Sequence, residues 1–188
     1  RGNVTVVTGA QVARVKLDKG RAVGVDYKLS GKNLSVRAER EVILAGGAVN
    51  SPQLLMLSGI GPAGHLTAKG VPVAVDLPGV GQNLQDHLDY TISHHSLRRD
   101  TVGLNPRGLL RLAKAVLHWR ETGVGLFALP MADGGAFFRS TPDAPRPDLQ
   151  IHFVVGIVDQ HMRRLHLADG FSAHVCVLRP ASRGQLGL

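Results

Sequence analysis

One short stretch of the sequence constrains the fold more than any other. Glu41–Ala45 is a nearly continuous apolar run, the pair Gly46-Gly47 follows it, and Ser51-Pro52 then precedes the apolar residues Leu54–Leu57. A run of this length is typical of a strand that is buried on both faces of a parallel sheet. Serine at an N-cap with proline at the first helical position predicts that a helix begins there. The order of strand, glycine turn and helix therefore predicts an α/β fold class.

The residues before this unit have the composition and the alternation of further strands. Val4–Thr8 is rich in β-branched residues, Gln11–Leu17 alternates apolar with polar residues, and Ala22–Tyr27 resumes the alternation after a glycine turn. A period of two residues indicates a strand with one buried and one hydrated face. Residues 4–45 are therefore predicted to be β structure.

Residues 58–90 are dominated by glycine and proline and are predicted to be mostly loop. One short helix is predicted within them, around Ala63–Lys69. An irregular segment of this length inside a compact chain is more often functional than idle, because loops carry many binding residues. We place a domain boundary at the end of this segment, near residues 88–92.

The second half of the chain predicts an antiparallel sheet with a helix. Apolar residues recur along Pro106–Glu121 at helical spacing, with the proline at the start. Three segments have the composition or the alternation of strands: Tyr90–His94, Leu149–Val158 and Phe171–Leu178. The whole prediction is an α/β chain, α+β overall, made of two partial domains over residues 1–90 and 91–188.

The net charge of +8 comes from 22 Lys and Arg against 14 Asp and Glu, a balance compatible with nucleic acid, an anionic membrane surface or an acidic ligand. The basic residues are spread along the chain, and the densest clusters are the pairs Arg98-Arg99 and Arg163-Arg164. No aromatic residue lies among these pairs, whereas nucleic-acid binders interleave the two types. We therefore expect no nucleic-acid partner. The protein is separately expected to be cytoplasmic, with peripheral association at an inner membrane left open.

Metal binding and acyl transfer are not expected from the sequence. The lone Cys176 excludes a cysteine-rich metal site and an intrachain disulfide. His161 and His166 miss the i, i+4 spacing of a metal-binding helix, and the adjacent His94-His95 point to opposite sides of a strand. Ser58 lacks the strand-to-helix context of a nucleophile elbow.

A literal G-x-G-x-x-G pattern occurs at Gly59–Gly64, but its surroundings differ from those of a dinucleotide-binding loop. Such a loop follows a strand and places a helix N-terminus against the pyrophosphate. Here Leu54–Leu57 belong to the predicted helix, and Pro62 removes one of the N–H donors that a phosphate would use. We predict that this loop does not bind a dinucleotide.

Gly47–Gly61 forms a G-A-x-x-S-P-x-L-L-x-x-S-G-I-G run, and here the sequence resembles the glucose–methanol–choline (GMC) oxidoreductase family. Further stretches resemble segments of the same family in the same order: Thr8–Val12 with Glu41–Gly46, then Leu77–His87, then Leu178–Gly184. These landmarks span almost the whole chain. The resemblance implies part of a Rossmann-like FAD-binding domain over residues 1–90, followed by part of a substrate-binding domain over residues 91–188.

The resemblance implies FAD as the cofactor and assigns a small set of residues to it. The backbone of Val12 would contact the adenine ring, and Ala45-Gly46 would let the chain approach the cofactor closely. Ser51 belongs to the same set, and Asn83 and Asp86 lie in the loop that leads toward the flavin. Ordinary structural roles are compatible with these assignments: a strand residue for Val12, a turn for Ala45-Gly46, and a local clasp between Asp86 and its neighbour His87.

The resemblance is nearest to bacterial choline dehydrogenase-like enzymes, and it implies oxidation of a primary alcohol, choline or another, to the aldehyde by hydride transfer to flavin. It places the catalytic His beyond residue 188, so no catalytic residue is assigned here and the chain is expected to be an internal fragment that is inactive alone. The electron acceptor and the oligomeric state stay open. Two alternatives also stay open: a stand-alone, non-catalytic binding module without a cofactor, and a basic nucleic-acid-associated domain.

Overall fold

A computed structural model describes residues 2–98, 101–129, 132–158 and 166–188, with only the backbone described at Asp133. The residues divide into two compact units. The first contains Arg1–Gln85 with Ser182–Leu188, and the second contains Asp86–Ala181. His161, Arg99 and the pair Arg163-Arg164, which the sequence analysis singled out, lie outside the described residues.

The first unit opens with a three-stranded antiparallel meander. Its strands are β1 (Gln11–Asp18), β2 (Arg21–Leu29) and β3 (Lys32–Arg37), in the order β1-β2-β3. The alternation in the sequence predicted β1 and β2, and both are confirmed. Val15 is the buried residue of β1, at 6% exposure.

Helical and loop structure completes the first unit. The helices are α1 (Gly47–Leu57) and α2 (Ala63–Ala68), and the two-residue strands β4 (Ile60–Gly61) and β5 (Val75–Asp76) pair in parallel. The short helix predicted near Ala63–Lys69 is therefore confirmed. A small core forms where Met56 and Leu66, both fully buried, pack with Val80. Leu186 packs against this core, which brings the C-terminal residues into the first unit.

Two predicted strands of the first unit were wrong. Val4–Thr8 and Glu41–Ala45 have no strand assignment, and the side chains of Val6 and Ile43 are 76% and 78% exposed. Apolar composition favours an extended backbone, but a strand exists only where a neighbouring strand supplies hydrogen-bond partners. Within the described ranges no strand pairs with either segment.

The predicted start of the first helix was also wrong. Helix α1 begins at Gly47 and contains Pro52, and its N-cap is Gly46 and not Ser51. The glycine pair decides this position, because Gly47 has a φ of +80° and turns the chain at the first position of the helix. Glycine adopts that left-handed conformation without a steric penalty.

The second unit is a four-stranded antiparallel sheet with one long helix. Its strands β6 (Leu88–His95), β7 (Ala132–Phe138), β8 (Leu149–Val154) and β9 (Gly170–Val177) lie in the order β6-β9-β8-β7. The predicted strands near Tyr90, Leu149 and Phe171 are confirmed. Strand β7 was not predicted, because its Gly134-Gly135 pair is atypical of strands.

Helix α3 (Pro106–Thr122) confirms the predicted helix, and its ends follow the local rules closely. The N-cap Asn105 accepts a hydrogen bond from the Gly108 N–H at 2.9 Å, and Pro106 occupies the first helical position. Gly123 ends the helix in the left-handed conformation, with a φ of +73°. A short 3-10 helix, Leu126–Ala128, follows.

Among the described residues, no helix combines the length and the apolarity that crossing a membrane requires. The same residues contain no group of three or more His, Cys, Asp or Glu side chains placed to hold a metal ion.

Candidate functional site

The first unit contains an open groove of about 770 Å³. Its lining comes from the start of β1, from Val25 of β2, from residues 42–46 and from helix α1. Four of the six residues that the sequence analysis assigned to a cofactor line this groove: Val12, Ala45, Gly46 and Ser51. The fold therefore brings together residues that are up to 39 positions apart in the chain, from Val12 to Ser51.

The lining of the groove is apolar and uncharged. Its polar side chains are amides and one hydroxyl, and among the described residues that line it none carries a charge. All three amides, Gln11, Asn50 and Gln53, were missed by the sequence analysis. Each lies within two residues of a predicted site residue, which was the available signal. Such a lining suits a flat, neutral ligand that accepts and donates hydrogen bonds.

Val12 lies at an irregularity of strand β1. It pairs with Tyr27 of β2, Arg14 pairs with Asp26, and Ala13 between them has no partner in the register. A β-bulge of this kind leaves the extra residue out of the ladder and bends the strand. The Val12 side chain is 41% exposed. The bulge therefore interrupts the regular pairing of the backbone at the residue predicted to offer its backbone to a ligand.

Ser51 and Gly46 form a clasp at the beginning of helix α1. The Gly46 N–H donates a hydrogen bond to Ser51 Oγ at 3.0 Å, so the hydroxyl satisfies an N–H at the helix start that has no intrahelical acceptor. Space at Gly46 is limited, because a Cβ built there would lie 3.1 Å from Asn50 Cβ. The absence of a side chain at Gly46 thus keeps the chain close to α1 along the groove.

The other two predicted residues, Asn83 and Asp86, do not line the groove. Asn83 is exposed and has a φ of +61°, and the next residue, Leu84, exchanges backbone hydrogen bonds with Gly184. Asp86 belongs to the second unit, where its Oδ1 accepts the His87 N–H at 2.8 Å. This bond is the local Asp86–His87 clasp that the sequence analysis gave as the structural role.

The G-x-G-x-x-G segment is built differently from a phosphate-binding loop. As predicted, a helix and not a strand precedes it, and Pro62 is the N-cap of α2. The Ala63 N–H at the start of α2 donates to Asp76 Oδ1 at 2.9 Å. A carboxylate therefore occupies the position at which a dinucleotide would place a phosphate.

A polar cluster lies on the sheet of the second unit. Asp89 of β6 approaches two residues of β9: its Oδ2 lies 2.9 Å from His174 Nδ1, and its Oδ1 accepts the Cys176 thiol at 3.5 Å. One carboxylate of β6 therefore contacts both an imidazole and a thiol of β9. Burial raises the pKa of the Cys176 thiol, and the hydrogen bond and the charge of Asp89 raise it further. The thiol is therefore protonated at neutral pH and is not an activated nucleophile.

Comparison with known proteins identifies the family of the first unit. Residues 1–89 match the family model of the GMC oxidoreductases. These residues belong to the GMC oxidoreductase family. The match covers the groove, both helices of the first unit and the predicted site residues up to Asp86.

Curated relatives align with the whole chain. The chain is 39% identical over 194 residues to the alcohol dehydrogenase [acceptor] of Pseudomonas putida, covering 100% of this chain and 34% of the relative. It is 42% identical over 189 residues to the mitochondrial choline dehydrogenase of Homo sapiens, covering 100% of this chain and 32% of the relative. The chain thus spans about one third of the length of the curated relatives it matches.

Solved structures share the fold. The chain aligns over 100% of its length with 33% of pyridoxine 4-oxidase from Mesorbium loti, with a TM-score of 0.73 and 28% identity. Formate oxidase from Aspergillus oryzae aligns with 99% of this chain and 37% of its own, with a TM-score of 0.85 and 24% identity, which shows the fold alone. The mixed helix and sheet architecture of this chain, together with its likeness to these structures, confirms the predicted α/β fold class.

Proposed function

We propose that this chain is part of an FAD-dependent oxidoreductase that oxidises a primary alcohol, choline or another, to the aldehyde, and that its groove holds the adenine end of FAD. The GMC family is FAD-dependent, and the curated relatives include alcohol and choline dehydrogenases. The observation that carries the proposal is the gathering of Val12, Ala45, Gly46 and Ser51 around one groove.

The chemistry of the groove fits adenine better than it fits the pyrophosphate of FAD. Its volume of about 770 Å³ lies within the usual range of ligand sites. The uncharged lining matches a neutral aromatic ring whose edge both donates and accepts hydrogen bonds. A pyrophosphate needs free N–H donors or cations, and no cationic side chain of the described residues lines the groove. We therefore assign the adenine end of FAD to this groove.

The residues of this chain would bind and orient the cofactor. The backbone at Val12 would hydrogen-bond the adenine edge, and the small residues Ala45 and Gly46 would let the ring lie against the main chain. Leu54 and Leu57 would exclude water from one side of the ring. When bound, FAD supplies the electron acceptor for oxidation of the alcohol, by hydride transfer to its flavin ring.

Titration of the purified chain with flavins tests this proposal. We expect FAD to bind, with a change in flavin fluorescence, and we expect adenosine monophosphate to compete with it. FMN, which carries the flavin but lacks the adenine, serves as the matched control and is expected not to bind. Equal binding of FMN and FAD would contradict the assignment of the groove to adenine. A chain that is folded by circular dichroism but binds none of the three would favour the non-catalytic module.

A further inference from the structure

Ser58 connects the two walls of the groove through a single hydroxyl group. The Val15 N–H of β1 donates to Ser58 Oγ at 2.8 Å, and the Ser58 hydroxyl donates to the Leu54 carbonyl oxygen of α1 at 2.6 Å. Ser58 is the C-cap of α1, and Leu54 itself lines the groove. The hydroxyl group therefore accepts one hydrogen bond from β1 and donates one to α1.

The strand that Ser58 holds lies at an edge. Strand β1 is the outer strand of the order β1-β2-β3, so one side of it faces no strand among the described residues. A backbone N–H on an open edge needs a partner when it is buried, and Val15 is only 6% exposed. Ser58 supplies that partner from the C-terminal end of helix α1.

The position of this contact matters for the groove. The bulge at Ala13 interrupts the ladder between Val12, which lines the groove, and Val15, which Ser58 holds. We call the hydrogen bond from the Val15 N–H to Ser58 Oγ the Ser58 anchor. A strand rises about 3.3 Å per residue, so this anchor lies roughly 10 Å along β1 from Val12. The bulge leaves Ala13 out of the ladder between β1 and β2, and the Ser58 hydroxyl ties this part of β1 to α1.

We propose that Ser58 is a positioning residue of the groove: its hydroxyl sets the distance between β1 and α1, and thereby the affinity of the groove for the adenine end of FAD. The identity of the ligand, the adenine end of FAD, rests on the proposed function. The effect of Ser58 on the distance between β1 and α1 does not depend on that ligand.

Three variants test it. We expect Ser58→Ala to weaken FAD binding about tenfold, since one hydrogen bond that orients a wall is worth roughly that factor. Ser58→Thr keeps the hydroxyl and is expected to restore the affinity. The matched control is Ser35→Ala, which removes a hydroxyl that Lys16 Nζ contacts at 3.0 Å on the same sheet, outside the groove lining. The control is expected to leave the affinity unchanged.

A second measurement reports the wall spacing without any cofactor. Spin labels at Gln11→Cys on β1 and Gln53→Cys on α1, in a Cys176→Ser background, mark the two walls, and double electron–electron resonance gives the distance between them. Ser58→Ala is expected to lengthen and broaden that distance distribution, whereas Ser35→Ala is expected to keep it. Faster hydrogen exchange at the Val15 amide of Ser58→Ala would accompany the change.

The outcomes separate the two proposals. A lower melting temperature for Ser58→Ala, with an unchanged FAD affinity and an unchanged label distance, would show a purely structural role and would overturn the inference. If the unsubstituted chain binds no FAD, the proposed function fails and the label distance decides the structural part: a lengthened distribution supports it, and an unchanged one overturns it.

Discussion

Asp89 and Cys176 face each other across strands β6 and β9, and the thiol donates a hydrogen bond of 3.5 Å to the carboxylate. The same carboxylate is bound to His174 Nδ1 at 2.9 Å, so one acidic side chain organises the polar end of the sheet. Burial is the main reason that the pKa of Cys176 is raised, and Asp89 contributes the rest.

Removal of the negative charge at Asp89 is expected to lower the pKa of Cys176. In Asp89→Asn the thiolate would no longer be opposed by a carboxylate, while burial would still hold the pKa above its ordinary value. The pH dependence of alkylation by iodoacetamide measures this directly. Asp86→Asn, which removes a charge from an exposed loop residue, is the control. A titration midpoint in Asp89→Asn that equals or exceeds that of the unsubstituted chain would refute the prediction.

Gly59 is expected to be far less tolerant of a side chain than Gly70. Both glycines have positive φ, at +81° and +70°. Alanine in this left-handed conformation is destabilised by about 1–2 kcal/mol at either position. At Gly59 a Cβ would also lie 2.5 Å from the Pro72 carbonyl oxygen, whereas at Gly70 nothing lies within 4 Å. Urea unfolding of Gly59→Ala should therefore show a loss of stability at least about 1 kcal/mol greater than that of Gly70→Ala. Equal losses would show that the chain near Pro72 moves away freely.

Acid is expected to lower the stability of the folded chain by protonating Asp148, whose carboxylate is hydrogen-bonded to Ser140 across the ends of β7 and β8. Hydrogen bonds from the Ser140 hydroxyl at 2.6 Å and the Ser140 N–H at 2.7 Å hold the pKa of Asp148 below its ordinary value of 3.8. A depressed folded-state pKa contributes stability that is present above pH 3.8 and is lost as the pH falls through the folded-state value. Asp148→Asn should remove this part of the acid dependence in unfolding experiments between about pH 2 and pH 6. An unaltered slope in that window would contradict it.

The affinity for FAD is expected to depend on bulk at position 45 and hardly at all on the side chain at position 12. Ala45→Leu would place a branched side chain in the groove and should weaken FAD binding about tenfold or more. Val12→Ala should leave the affinity nearly unchanged, because the proposed contact uses the backbone. Fluorescence titration of both variants measures the difference. A strong loss in Val12→Ala together with a tolerant Ala45→Leu would place the ligand elsewhere in the groove.

Much of the local structure follows from the sequence alone. The alternation in Gln11–Leu17 and Ala22–Tyr27 predicts β1 and β2, because the period of a half-buried strand is visible in the residues themselves. The ends of α3 are equally local, since Asn105, Pro106 and Gly123 act within a few residues of where they stand. The run Gly47–Gly61 identifies the family for a similar reason: all its defined positions lie in one continuous stretch.

Tertiary structure decided what the local pattern leaves undetermined. Whether Glu41–Ala45 becomes a strand depends on a neighbour that pairs with it, and apolar composition does not reveal that neighbour. The groove brings Val12 to Gly46 and leaves Asn83 and Asp86 aside, although the resemblance placed all four beside one cofactor. The Ser58 anchor joins residues 43 positions apart. The sequence by itself determined β1, β2, α3 and the family of residues 1–89, because these depend on neighbouring residues. The folded chain decided the site, because a groove exists only between walls that packing brings together.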